Sequence, residues 1–207
     1  MAVLFTNPIE ITGLIYDSTW RDKSLSGAPY NLPSETTGVM LYVVNTHASY
    51  DYTIGFRKKG STDNYKSTLG FSHCTTVYIG CDTNQVFQYN ISNSNVKVYL
   101  LGYFTYDAVF FDNGILINPE TAVWTTVDLS SYLPAGAKAA IIYMYMTSDG
   151  SPKFGHRPYG STEDAGRWSN NFFSQRIVGA IAGCSSDRKV DLNTYPTSSG
   201  DYPYLIG

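Results

Sequence analysis

Residues 55–63 read GFRKKGSTD, and residues 155–163 read GHRPYGSTE. Arg57 returns as Arg157 and Gly60-Ser61-Thr62 as Gly160-Ser161-Thr162, so a chain that carries this echo must fold one pattern twice. Other landmarks keep nearly the same spacing: Trp20 with Trp124, Leu32-Pro33 with Leu133-Pro134, Gly80-Cys81 with Gly183-Cys184, and Leu100 with Leu205. A period of this length is far beyond that of a solenoid repeat, so each copy is expected to own a core. The expected organisation is an arm over residues 1–13, a first domain over 14–105 and a second over 106–207. The Asp112-Asn113-Gly114 turn is the natural junction between the copies.

The pattern within each copy is that of strands. Tyrosine (18) and phenylalanine (10) are abundant while only 15% of residues are charged, a balance that suits pleated, half-buried surfaces. Residues 37–45 (TGVMLYVVN) form an apolar run short enough for a core strand, and 139–147 (AAIIYMYMT) answer it. Residues 52–57, 74–80, 85–91 and 95–104 follow, with Asp82-Thr83-Asn84 placed as a hairpin connection and Val96, Val98 and Leu100 on one face opposite Tyr99. No window shows a capped helical period, so at most a helical turn is expected, near 130–133 or 164–168. The fold class is therefore all-β: two tandem antiparallel β-sandwiches, of jelly-roll or immunoglobulin-like type, behind an extended N-terminal arm able to pack on a neighbour.

A formal charge of −3 supplies no basic field for nucleic acid, and no apolar stretch is long enough to span a membrane. Three cysteines make no disulfide framework. His73, Cys74 and Cys81 lack the second ligand pair a zinc site needs, and Cys81 and Cys184 read as small buried hydrophobes. The repeat sets His156 against Phe56, and no nucleophile elbow is present, so neither catalytic residues nor a cofactor is expected. Asn90-Ile91-Ser92 matches a glycosylation sequon.

The recurring arginines carry the most chemistry. A guanidinium in an apolar strand must satisfy a planar fork of donors. Asp63 and Glu163, six residues on, are the expected partners, so that Arg57–Asp63 and Arg157–Glu163 clamp a hairpin in each copy. Trp20, Lys58, Lys59, Trp124, Tyr159 and Trp168 are the residues expected to touch a partner or, alternatively, a glycan.

Trp124-x3-Asp128-Leu129, then Leu133-Pro134-Ala135-Gly136-Ala137 ahead of an apolar strand, then Gly155-x-Arg157-x2-Gly160-Ser161-Thr162, with a Leu-Gly type strand closing each copy, resembles a β-sandwich repeat of virion proteins of tailed bacteriophages. The resemblance runs from Trp20 onward, twice; the second copy departs from it at Pro158-Tyr159. It implies a non-enzymatic structural part of a phage particle: a capsid decoration or cement protein, or alternatively a tail or fibre component. The implied partners are other virion proteins, such as a major capsid protein, and further copies of the chain, often as trimers. Assembly in the host cytoplasm and residence in the virion follow, with residues 1–13 as the anchor. A carbohydrate-binding adhesin module is the alternative from a different class.

Overall fold

The computed structural model describes residues 3–117, 123–146, 153–162, 168–169, 176–195 and 202–207. The chain divides into two compact units, Met1–Asn113 and Gly114–Gly207.

The first unit contains β1 (Val3–Glu10), β2 (Arg21–Ser24), β3 (Gly38–Asn45), β4 (Tyr52–Lys58), β5 (Ser67–Leu69), β6 (Cys74–Gly80), β7 (Val86–Ile91) and β8 (Val96–Phe104). They form two four-stranded sheets, ordered β1-β8-β3-β6 and β2-β7-β4-β5. The antiparallel pairs β1·β8, β2·β7, β3·β6 and β4·β5 are the rungs of one long hairpin. Pairing of β3 with β8 and of β4 with β7 then rolls that hairpin into two layers. Eight strands wound in this way are a jelly roll, which decides between the two sandwich types expected from sequence.

The second unit contains β9 (Ile115–Leu116), β10 (Thr125–Asp128), β11 (Ala139–Met146), β12 (Lys153–Pro158), β13 (Trp168–Ser169), β14 (Arg176–Gly183), β15 (Lys189–Tyr195) and β16 (Tyr202–Leu205). Its sheets run β14-β11-β16-β9 and β10-β15-β12-β13. Strand for strand, this is the pairing of the first unit.

Alternation decides which side chains enter the core. In β8, Val96, Val98 and Leu100 are at most 1% exposed while Lys97 and Tyr99 are half-buried. Val39, Leu41 and Val43 of β3 are buried likewise, as are Ile54, Phe56, Phe87, Tyr89 and Ile91 of the other sheet. Each such side chain stabilises the fold by roughly 1.5–3 kcal/mol before the entropy of ordering is deducted. β3 alternates, with Tyr42 and Val44 half-buried, whereas β11 buries Ala140, Ile141, Ile142, Tyr143 and Met144 in succession. The expected turn at 130–133 is present, Leu133 N–H donating to the Leu129 carbonyl at 2.9 Å. The alternative at 164–168 lies mostly outside the described residues.

Three expectations change. Residues 82–84 do not close a hairpin: β6 pairs with β3 and β7 with β2 and β4, so the connection passes from one sheet to the other. Asp82 Oδ1 shapes that crossing by accepting from the backbone N–H groups of Asn84 (2.9 Å) and Val86 (2.8 Å). The N-terminal segment is extended but not loose, because β1 pairs with β8 and Ile11 N–H continues onto the Val98 carbonyl at 2.8 Å. Finally, residues 106–113 belong to the first unit. Phe110, 6% exposed, lies over the cross-strand pair Gly38–Gly80, where a Cβ on Gly38 would come within 2.3 Å of its ring and a Cβ on Gly80 within 2.6 Å of its Cβ. Only glycine leaves the backbone low enough to receive it.

Candidate functional site

Because β4 alternates, Ile54 and Phe56 point into the core, and Gly55 and Arg57 lie on the opposite face of the sheet. Trp20, just ahead of β2, lies across that face. Its ring edge comes so close to Gly55 that a Cβ there would be 2.9 Å from Cη2, and the Arg57 guanidinium stacks 4.1 Å from a ring centroid. Trp20 Nε1–H donates to Asn64 Oδ1 at 2.9 Å. Arg57 Nε donates to Gln88 Oε1 (2.8 Å) and Nη1 to the Asp63 backbone carbonyl (2.5 Å). Gln88 Nε2 passes the chain on to Asp22 Oδ1 (2.9 Å), and Asp22 is ion-paired with Lys59. Burial pulls the Arg57 pKa below its ordinary value, against the opposing pull of the Asp63 charge.

Where the sequence suggests a clamp through the Asp63 carboxylate, the Arg57 hydrogen bond to Asp63 is made to its main-chain carbonyl. Gly60 takes φ +88°, Ser61 N–H closes the turn onto the Lys58 carbonyl at 3.1 Å, and Asp63 N–H donates to Ser61 Oγ at 3.0 Å, which aims the Asp63 carbonyl at the guanidinium. In the second unit Gly160 has φ +76° and Ser161 N–H closes the same turn onto Pro158 at 3.1 Å.

Arg157 likewise stacks 4.1 Å from the Trp124 ring. Its Nε meets Asp191 Oδ2 at 3.3 Å, and Asp191 Oδ1 accepts from Thr126 Oγ1 at 2.8 Å. Glu163, the expected partner, lies outside the described residues. Strand register explains the relation between the copies. Arg57 stands opposite Gln88, itself opposite Asp22; Arg157 stands opposite Asp191, itself opposite Thr126. The carboxylate has moved from the edge strand in one copy to the middle strand in the other. Gln88 and Asp191 were invisible in the sequence reading, since their roles depend on which strand lies beside the arginine.

One step along the same strands, Asn90 faces Gly55 and Asn193 faces Gly155, both side chains buried. Asn90 Nδ2 donates to the Ser18 carbonyl at 2.7 Å, so the sequon is closed inside the fold.

The basic pair is engaged within its own unit. Lys58 Nζ donates to the Phe110 carbonyl (3.0 Å) and to Asp112 Oδ1 (2.7 Å), holding the Asp112 carboxyl below its usual pKa. Ser61 Oγ, Thr62 N–H and Thr62 Oγ1 converge on Asn113 Oδ1 at 2.9, 2.8 and 3.2 Å. The motif therefore grips the segment by which the chain leaves the first unit. Lys58 lies beside Gly80 as Pro158 lies beside Gly183, with hypothetical Cβ approaches of 3.1 and 3.5 Å. Tyr159 is exposed, with Lys189 Nζ 5.7 Å from its ring centroid. Trp168 stands in β13 opposite Gly155, and its side chain lies outside the described residues.

The thiols are not clustered for chemistry: Cys74 is exposed, Cys81 buried and Cys184 intermediate. Burial is the main force pushing Cys81 up to about 12, reinforced by Asp82 and opposed by Lys58, and burial pushes Cys184 up to about 11. His156 occupies the register of Phe56, opposite Leu192 as Phe56 is opposite Tyr89. His47 Nδ1 accepts from the N–H groups of Ser49 and Tyr50, both at 3.0 Å, fixing the β3–β4 loop. Among the described residues no three His, Cys, Asp or Glu side chains are placed to hold a metal ion, and no helix is long and apolar enough to cross a membrane.

The fold and the site define an all-β chain of antiparallel jelly-roll sheets in which the recurring arginine and tryptophan stack on one another. No family model matches the chain, and no curated protein does. Among solved structures it is similar to the crystal structure of PBSX exported protein XepA, at 10% identity over 100% of this chain and 86% of that one, with a TM-score of 0.26. Agreement that slight has no bearing on function.

Proposed function

We propose that this protein is a non-enzymatic structural component of a phage particle, a capsid decoration or cement protein built from two jelly rolls. The observation that supports the reading is the fate of the repeated motif. In both copies Arg and Trp stack on each other at 4.1 Å, and Gly-Ser-Thr closes the same turn, so what recurs is what a stable sandwich requires. Apolar side chains remain outward, Phe5 at 74% and Val123 at 62% exposure, as surfaces for neighbouring virion proteins. The jelly roll is shared by capsid and lectin domains, so the fold is compatible with this role without dictating it. On this reading the partners are a major capsid protein and further copies of the chain, a trimer among the symmetric assemblies, formed in the host cytoplasm. A tail or fibre position is the finer alternative. Because β1 completes a sheet, anchoring falls to outward side chains such as Phe5 rather than to a free arm.

Mass spectrometry of gradient-purified particles, with heads and tails separated, tests the proposal. Stoichiometric recovery with heads supports decoration and recovery with tails the fibre alternative. Absence from intact particles of the producing phage refutes both.

A further inference from the structure

The first unit holds an open groove of about 420 Å³ between the segment following β8, the loop before β3 and the β6–β7 crossing. That volume lies within the range of small-molecule sites, ~300–1,000 Å³. Thr36, Thr37, Glu35, Asp82, Lys58 and Tyr106 are among its lining residues. Three features narrow what it can take. Lys58 already donates to the Phe110 carbonyl and to Asp112, and Glu35 and Asp82 add negative charge, so an anionic ligand is disfavoured. Thr36 is 3% exposed and its hydroxyl has no hydrogen-bond partner, a cost that a ligand polar group can relieve. Tyr106 is 75% exposed and offers an aromatic face beside the hydroxyls and carboxylates. Two of the tryptophans expected to contact a glycan, Trp20 and Trp124, already carry an arginine 4.1 Å from the ring.

We propose that this groove binds a neutral carbohydrate of one or two pyranose rings, with Tyr106 against a C–H face and Glu35, Thr36 and Asp82 meeting the sugar hydroxyls. Planar carboxylates accept from adjacent hydroxyls, and an aromatic ring supplies an apolar wall of matching size. The site does not depend on the particle reading, since a decoration protein and an adhesin could each present it.

The test is saturation-transfer NMR on the full chain, using the methyl glycosides of glucose, galactose, mannose and N-acetylglucosamine, together with lactose and cellobiose, each up to about 10 mM. At least one should bind, with saturation arriving through Tyr106. Tyr106→Ala and Thr36→Val should weaken that sugar about tenfold or more, while Tyr106→Phe and Thr36→Ser retain it and Trp124→Phe leaves it unchanged. Tyr106 is exposed enough that its truncation tests the site even if Thr36→Val misfolds. No binding by any probe, binding indifferent to Tyr106→Ala, or binding lost in Trp124→Phe while that variant stays folded would each overturn the proposal.

Discussion

Replacing Arg57 with alanine should lower stability before it alters any binding. The change removes a guanidinium–indole stack at 4.1 Å, worth ~0.5–1 kcal/mol on a partly exposed ring. It also removes two charge-assisted hydrogen bonds, to Gln88 and to the Asp63 carbonyl, each ~1.5–3 kcal/mol in favourable settings. Against this, the arginine no longer bears the desolvation that depresses its pKa, and about 2 kcal/mol of side-chain rotamer entropy is released. The net expectation is a loss of about 2 kcal/mol, which for a unit of this size lowers Tm by roughly 10 °C. Arg157→Ala should cost more. Its partner Asp191 has a side chain only 9% exposed, and losing one member of a buried pair costs ~3–5 kcal/mol. Thr126 still holds the other Asp191 oxygen, so about 3 kcal/mol is the figure expected. Adding Asp191→Asn to Arg157→Ala should recover part of the loss. Urea unfolding of the full chain, with calorimetry on each variant, reads these differences. A loss below about 0.5 kcal/mol for Arg57→Ala, or one equal to or greater than that of Arg157→Ala, would refute the reasoning.

The docked exit segment should be intolerant of bulk: Gly80→Ala places a Cβ 2.6 Å from Phe110 Cβ and should cost ~1–3 kcal/mol by urea unfolding, an increment that should shrink on a Phe110→Gly background, where that Cβ is absent. At pH 8 the native chain should react with iodoacetamide at one thiol, Cys74, while Cys81 and Cys184 react only after unfolding, as peptide mapping would show. Because the folded Cys81 value is raised, its contribution to stability is intact below the unfolded thiol value of ~8.5 and lost as pH climbs toward about 12, so Cys81→Ala should flatten that alkaline slope. The depressed Asp112 carboxyl works in the other direction. Its pairing with Lys58 is present above the unfolded value of ~3.9 and lost as pH falls through the folded one, so the Asn113 side-chain NMR signal should shift in acid, and Asp112→Asn should abolish that titration.

Much of the architecture was legible because it rests on local pattern. The alternation of β8, the apolar run of β3 and the crossing of β4 through Gly55 and Arg57 are written in residue order. The shortest strands are not legible in residue order, β5 with three residues and β9 and β13 with two each, since so few positions carry no period. Residues 82–84 read as a hairpin because turn chemistry is the same whether the next strand folds back beside the last or crosses to the facing sheet.

The same limit governed the site. Spacing alone placed arginine, glycine, serine and threonine in one turn, because those demands lie within a few residues: a left-handed φ at Gly60 and Gly160, and a hydroxyl to orient the following backbone. Which groups complete the fork depended on strands distant in sequence. Gln88 lies 31 residues from Arg57 and Asp191 lies 34 from Arg157, each brought alongside only when the long hairpin rolls up. Lys58 reads in sequence as a contact for a partner, whereas the fold seats Phe110, Asp112 and Asn113 against the same turn. The sequence by itself determined two rounds of short strands and the turn each repeats, since steric preference and burial act between near neighbours. Only the tertiary structure decided the jelly-roll winding, the partners of the two arginines and the fate of the basic pair, because cross-strand register joins residues that no local period connects.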